Sequence, residues 1–191
     1  MAQNFITNSP EKTLEERLKT LIKYSKELKF LVGFFYFSGV RTLYEALKEL
    51  EKEGRLKEEH IKVLVGLSVD KGVYGLYELA HGNEGDEEIK NRFLQSVERV
   101  FTSEEFDKKE IYEQVEFFLK LLKEEKLVIR KTREPNHAKL YLFKLDGDLL
   151  QQTFITGSSN LTLAGLKGQE EFNVEIKDYG FESAEKYFDE R

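Results

Sequence analysis

The sequence predicts one mixed α/β domain, and three observations predict it. Two continuous apolar runs, Phe30 to Phe37 (FLVGFFYF) and Ile61 to Leu67 (IKVLVGL), flank a stretch with helical periodicity. A strand, helix and strand in that order imply a parallel pair with a right-handed crossover. Further on, Asp146-Gly147-Asp148 stands between two short β-rich runs, which is a hairpin signal and adds antiparallel pairing.

The elements follow in order. Thr13-Leu-Glu-Glu16 has the spacing of a capping box. Leu14, Leu18, Leu21, Ile22, Ser25 and Leu28 then share a helical face, so a helix is expected to end near Leu28. Phe30 to Phe37 is a strand buried on both faces, because it shows no polar alternation. Ser38-Gly39 turns the chain into a helix over about Val40 to Lys52, stopped by Gly54. Ile61 to Leu67 is the second buried strand. Ser68 to Asp86 is polar and Gly-rich, with a short helix expected at Gly75 to His81. Longer helices are expected near Glu87 to Phe101 and Glu104 to Glu125, the second with Ile111, Val115, Phe118 and Leu122 on one face. Strands return at Leu127 to Lys131, Ala138 to Leu145, Thr153 to Thr156 and Phe172 to Ile176. Phe181 to Arg191 is helical. This last helix reaches Arg191 without a capping signal, which suits either a chain that continues further or a natural frayed end.

A chain of 191 residues with 40% apolar content can build one substantial core, so residues 1–191 are taken as a single domain. There is no cysteine, which excludes disulfides and thiolate metal sites and fits a cytoplasmic protein. The longest apolar run is far shorter than the ~20 residues of a membrane span. The N-terminal MAQNFITNSPEKT lacks a basic apolar leader, so neither membrane nor secretion is expected.

The net charge of −6 argues weakly against nucleic acid, but the charge is uneven. Glu84 to Glu125 carries a net −6, whereas Lys126 to Asp146 carries a net +4. A local basic patch can hold phosphate on an acidic protein.

That basic stretch contains His137. Residues two apart on a strand share a face, so His137 and Lys139 project together. Thr156-Gly157-Ser158-Ser159-Asn160 closes the other strand of the hairpin and turns into a short helix near Leu161. Its backbone N–H groups, its hydroxyls and the Asn160 amide suit phosphate oxygens. The hairpin turn at Gly147 lies at the opposite end from both groups, so both come to the same end of the pair. A lone His at a strand start is more often a surface residue, and Gly-Ser-Ser-Asn is also a generic turn and helix cap. His60 and His81 have no second ligand at metal-site spacing, so no metal is expected.

His137-x-Lys139 followed by Gly157-Ser158-x-Asn160 resembles the phospholipase D superfamily. Glu171, eleven residues after Asn160, stands where single-motif nucleases of that superfamily place a glutamate. Val32 to Gly39 (VGFFYFSG) is similar to the first strand of the superfamily's domains at the N-terminus of bacterial helicase-like proteins. The resemblance implies a phospholipase D-like mixed sheet flanked by helices on both faces. It implies a nuclease or phosphodiesterase on DNA, without metal or other cofactor, through a phosphohistidine on His137. Lys139 and Asn160 would hold the non-bridging oxygens, Ser158 would support the phosphate-binding turn, and Glu171 would fix the His137 tautomer. The family chemistry needs two histidines and the chain has one motif, so a homodimer through the face carrying His137 is expected. A helicase motor would lie beyond Arg191. The family usually has Asp five residues after the Lys; here Lys144 stands there and the nearest acid is Asp146. That departure turns the expectation away from lipid hydrolysis. It also keeps a second reading, a non-catalytic module that binds nucleic acid or a partner.

Overall fold

The computed structural model describes residues 4–10, 12–81, 108–177 and 179–191, with Lys108 described by its backbone alone. The expected helix at Glu87 to Phe101 lies outside these residues. The described elements are β1 (Phe5–Ile6), α1 (Leu14–Ile22), β2 (Ser25–Phe35), α2 (Phe37–Val40), α3 (Tyr44–Lys52), β3 (Ile61–Val69) and α4 (Lys71–His81). After these come α5 (Lys108–Lys123), β4 (Leu127–Lys131), β5 (Leu140–Leu145), β6 (Gln152–Gly157), β7 (Asn173–Lys177) and α6 (Phe181–Asp189). They build one seven-stranded mixed sheet of order β1-β7-β6-β5-β2-β3-β4. The β2, β3 and β4 ladders are parallel, and β2-β5, β5-β6, β6-β7 and β7-β1 are antiparallel.

The continuous apolar runs are explained by burial on both faces. Phe30, Val32, Tyr141 and Phe143 face a large cluster built with α1, α3, α4 and α5. Leu31, Leu140, Leu142 and Phe154 face the opposite way, against Phe181 and Phe188 of α6. A sheet with helices on both faces is therefore observed, as expected.

Some boundaries differ from expectation. The first helix ends at Ile22, and β2 begins at Ser25. The Ser25 hydroxyl donates to the Ile22 carbonyl at 2.7 Å and closes the helix. Leu28 is buried because it pairs with Ile61 and Phe143 in the sheet, not because it continues the helical face. The second helix starts early, as α2 at Phe37 and a 3₁₀ turn over Arg41–Leu43 before α3. The short helix expected at Gly75 to His81 starts instead at Lys71, where the Asp70 carboxylate accepts from the Val73 and Phe37 N–H groups. The helix expected near Leu161 is a single π turn at Ala164–Gly168. Leu161 itself bridges to Phe35. The two-residue strand β1, against β7, carries no sequence signal of its own.

One correction bears on the site. β5 begins at Leu140, so His137 and Lys139 lie in the approach to the strand, not within it. The reason is local: Asn136 Oδ1 accepts from the Ala138 N–H at 2.8 Å, which takes that donor away from a ladder.

Candidate active site

The expected residues gather at one end of the sheet. β5 enters the sheet from His137 and Lys139, β6 leaves it at Gly157, and β7 begins after Glu171. Antiparallel pairing of Leu140 with Thr156 and of Gly157 with Asn173 sets these three ends side by side.

His137 is held by its neighbours in the chain. The Asn136 N–H donates to the Gly66 carbonyl of β3 at 3.1 Å, and the Asn136 side-chain amide donates to Tyr187 Oη at 3.1 Å. The imidazole is exposed, with the Phe34 ring edge-on at 6.3 Å. Lys139 is buried, at 6% exposure. Its ammonium donates to the His137 carbonyl at 2.7 Å and lies 2.9 and 3.0 Å from the two ring nitrogens. Near-equal distances to both nitrogens put the charge against the ring face rather than in line with one lone pair. Burial pushes the Lys139 ammonium below its ordinary pKa, and the Glu171 charge opposes that shift. Among the described residues no carboxylate forms an ion pair with it.

Asn160 is fixed from β2. The pairing of β2 with β3 slips between Val32 and Phe34, and the Phe34 N–H donates to Asn160 Oδ1 at 3.0 Å. With its oxygen so used, the amide keeps its N–H donors for another acceptor. The glycine at 33 makes this possible. A Cβ there would lie 3.2 Å from both Asn160 Oδ1 and the His137 Cδ2. At Gly157 a Cβ would come within 2.3 Å of the Phe172 carbonyl, so the turn tolerates only glycine against β7.

Glu171 accepts from the Ser158 hydroxyl, which also accepts from the Phe172 N–H at 3.0 Å. Its carboxylate is thus turned to Ser158 rather than to His137, unlike the expected tautomer-fixing contact. Ser159 is fully buried. Its hydroxyl accepts from Asn173 Nδ2 at 2.9 Å and its N–H donates to Asn173 Oδ1 at 3.3 Å. It braces the turn from the interior, whereas Gly157 and Ser158 are exposed. Tyr141, whose hydroxyl pKa burial raises, donates to the Ser159 carbonyl at 2.9 Å from below.

Sequence reasoning missed Gly33, Phe34, Asn136, Tyr141 and Asn173. Only Asn136 left a local signal, as a turn-forming Asn after Pro135; the others act across strands. Lys144, at the place of the family's Asp, lies at the far end of β5. It pairs there with Glu185 at 2.6 Å and Glu27 at 3.0 Å. Its presence therefore removes no group from the cluster around His137. Among the described residues no three His, Asp or Glu side chains converge as a metal site requires. No helix among them is long and apolar enough to cross a membrane.

A family model described as cardiolipin synthase, PLD-like domain, matches residues 18–191. The chain is also similar to the crystal structure of a phospholipase D family member, Nuc from Salmonella typhimurium. The match has 17% identity and a TM-score of 0.48, covering 97% of this chain and 88% of that one. None of the curated proteins compared with it matches.

Proposed function

The chain belongs to the PLD-like family, and from that premise we propose that it is a metal-independent phosphodiesterase acting on DNA. The observation that carries this reading is Lys139, a buried ammonium without a carboxylate counterion among the described residues, set against the His137 imidazole. A buried cation without a carboxylate is costly, and an anionic substrate would relieve it. The Asn160 amide, its oxygen held by the Phe34 N–H, offers further donors to the same phosphate. Developing charge on its non-bridging oxygens would meet them already in place.

In the first step a ring nitrogen of His137 attacks phosphorus. The P–N bond forms as the bond to the leaving oxygen breaks, and that oxygen takes a proton from a second histidine. In the second step that histidine removes a proton from water, the water oxygen attacks phosphorus, and the P–N bond breaks. The second histidine would be His137 of another copy in a two-fold dimer. The likeness of Val32 to Gly39 to helicase-associated domains supports a place at the head of a helicase-like protein.

A second reading is a non-catalytic module that binds nucleic acid. It is favoured by the Glu171 carboxylate, which is engaged by Ser158 instead of orienting His137. One experiment separates the two. Wild type and His137→Ala are assayed in EDTA on bis-p-nitrophenyl phosphate and on single- and double-stranded DNA. Hydrolysis by wild type alone supports the enzyme, and equal rates in both remove it. Binding without cleavage, weakening steeply with salt, supports the module. Analytical ultracentrifugation tests the dimer: a monomer at high concentration overturns the two-histidine mechanism.

A further inference from the structure

A groove of about 370 Å³ lies on the α6 side of the sheet, between the end of α6 and β4, the edge strand among the described residues. Lys62, Arg130, Lys131, Arg133 and Arg191 line it, against the two acids Glu59 and Asp189. Both acids are already engaged, Glu59 by Lys62 at 3.0 Å and Asp189 by Lys29 at 2.9 Å. Arg130, Lys131 and Arg133 are exposed and form no ion pair with any described residue. Arg191 lies with its guanidinium 4.2 Å from the centre of the Tyr187 ring.

The groove runs into the loop that carries His137. Lys131 pairs with Val65, and the next residue of β3, Gly66, accepts from the Asn136 N–H at 3.1 Å. The helix α6, whose end borders the groove, also holds that loop: the Asn136 amide donates to Tyr187 Oη at 3.1 Å. Three bases of the basic stretch, Arg130, Lys131 and Arg133, thus line the groove at the sheet edge, and the chain continues from Arg133 into the loop of His137.

We propose that this edge holds a single nucleic-acid strand by its phosphates and leads it towards His137. Its direction toward His137 rests on the phosphodiesterase reading; its capacity to bind does not. A track of spaced cations suits a chain of phosphates, whereas a small phosphodiester would reach His137 without it. Single-stranded polyanion is favoured over duplex because a groove of about 370 Å³ is too small to seat a duplex.

The test is fluorescence anisotropy of a labelled thymidine dodecamer with the full chain. The triple variant Arg130→Gln, Lys131→Gln, Arg133→Gln is compared with a control that loses the same charge elsewhere, Lys23→Gln, Lys52→Gln, Lys123→Gln. The groove variant should bind about tenfold more weakly, and the slope of log affinity against log salt should shrink by about 2, near 0.7 per lost contact. The control should bind as wild type does, and both should hydrolyse bis-p-nitrophenyl phosphate at the wild-type rate. Unchanged binding in the groove variant overturns the proposal, as does equal loss in both variants. If no form hydrolyses bis-p-nitrophenyl phosphate but the groove variant alone loses the oligonucleotide, the enzyme reading fails and the groove stands. Thermal melting of each variant shows that the comparison is made between folded chains.

Discussion

Lys29 and Lys139 are two lysines buried to nearly the same degree, 7% and 6% exposed, one within β2 and the other just before β5, its neighbour in the sheet. Lys29 meets Glu185 at 2.7 Å and Asp189 at 2.9 Å, with Glu27 at 3.8 Å. Burial tends to lower its pKa, but the carboxylates outweigh burial and raise it. Lys139 meets an imidazole and a carbonyl, and burial lowers its pKa. The same residue type at the same depth is a tie between sheet and helix in one place and an unmatched charge in the other. The difference lies in what faces it: α6 brings acids to Lys29, whereas among the described residues no acid pairs with Lys139, the charge that the proposed function gives to a substrate anion.

Substitution at each lysine breaks the comparison in opposite directions. Lys139→Met should lower the rate on bis-p-nitrophenyl phosphate by about 100-fold or more while leaving the melting temperature equal or higher. A large loss of stability there would make Lys139 a structural lysine like Lys29. His60 extends the contrast to a buried group that stays neutral. Burial, helped by Arg55 and Lys57 and opposed by Glu27, pushes its pKa down to about 4. The folded state then binds fewer protons than the unfolded one between that value and about 6.5. Stability from this group is therefore complete above pH 6.5 and falls as pH drops towards 4, by at most about 3 kcal/mol. Urea unfolding at pH 7.5 and 4.5 should show a shallower acid loss in His60→Gln than in wild type.

Lys29→Met should leave hydrolysis unchanged and cost about 1–2 kcal/mol, or about 2–8 °C in melting temperature. Glu185 keeps Lys144, and Asp189 is half exposed, which limits the loss. Gly33→Ala sharpens the comparison on the His137 side. Its Cβ would press on the His137 ring and the Asn160 oxygen, and kcat should fall about tenfold with little change in melting. An unchanged kcat would mean that Asn160 needs no fixing by β2. The smallest effect belongs to Lys144→Ala: below about 1 kcal/mol by urea unfolding, and no change in rate, because Lys144 is part of the Lys29 network and far from His137.

Much of the candidate site was legible because its members are close in the chain or tied by one hairpin. His137 and Lys139 are two apart, and the turn at Gly147 returns Asn160 to them. Lys29 was not legible as a partnered charge, since its acids come from a helix about 156 residues later. Neither was the role of Phe34, whose N–H is free for Asn160 only because the β2 pairing slips at that point. The end of the first helix was misplaced for a related reason. Ser25 and Leu28 fit a helical face by spacing, yet Ser25 pairs with Leu145 and Leu28 lies between Ile61 and Phe143 in the sheet.

The sequence by itself determined the mixed α/β class, the two-sided burial of the sheet, and the grouping of His137, Lys139 and Asn160 at one end. Period, apolar run length and turn chemistry are local properties, and a hairpin converts them into proximity. Tertiary structure alone decided which lysine is paired, which serine of the turn faces solvent, where Glu171 points, and that the β4 edge continues into the loop of His137. Those facts depend on contacts between segments distant in sequence, where a shift of one residue in register exchanges the buried and the exposed face.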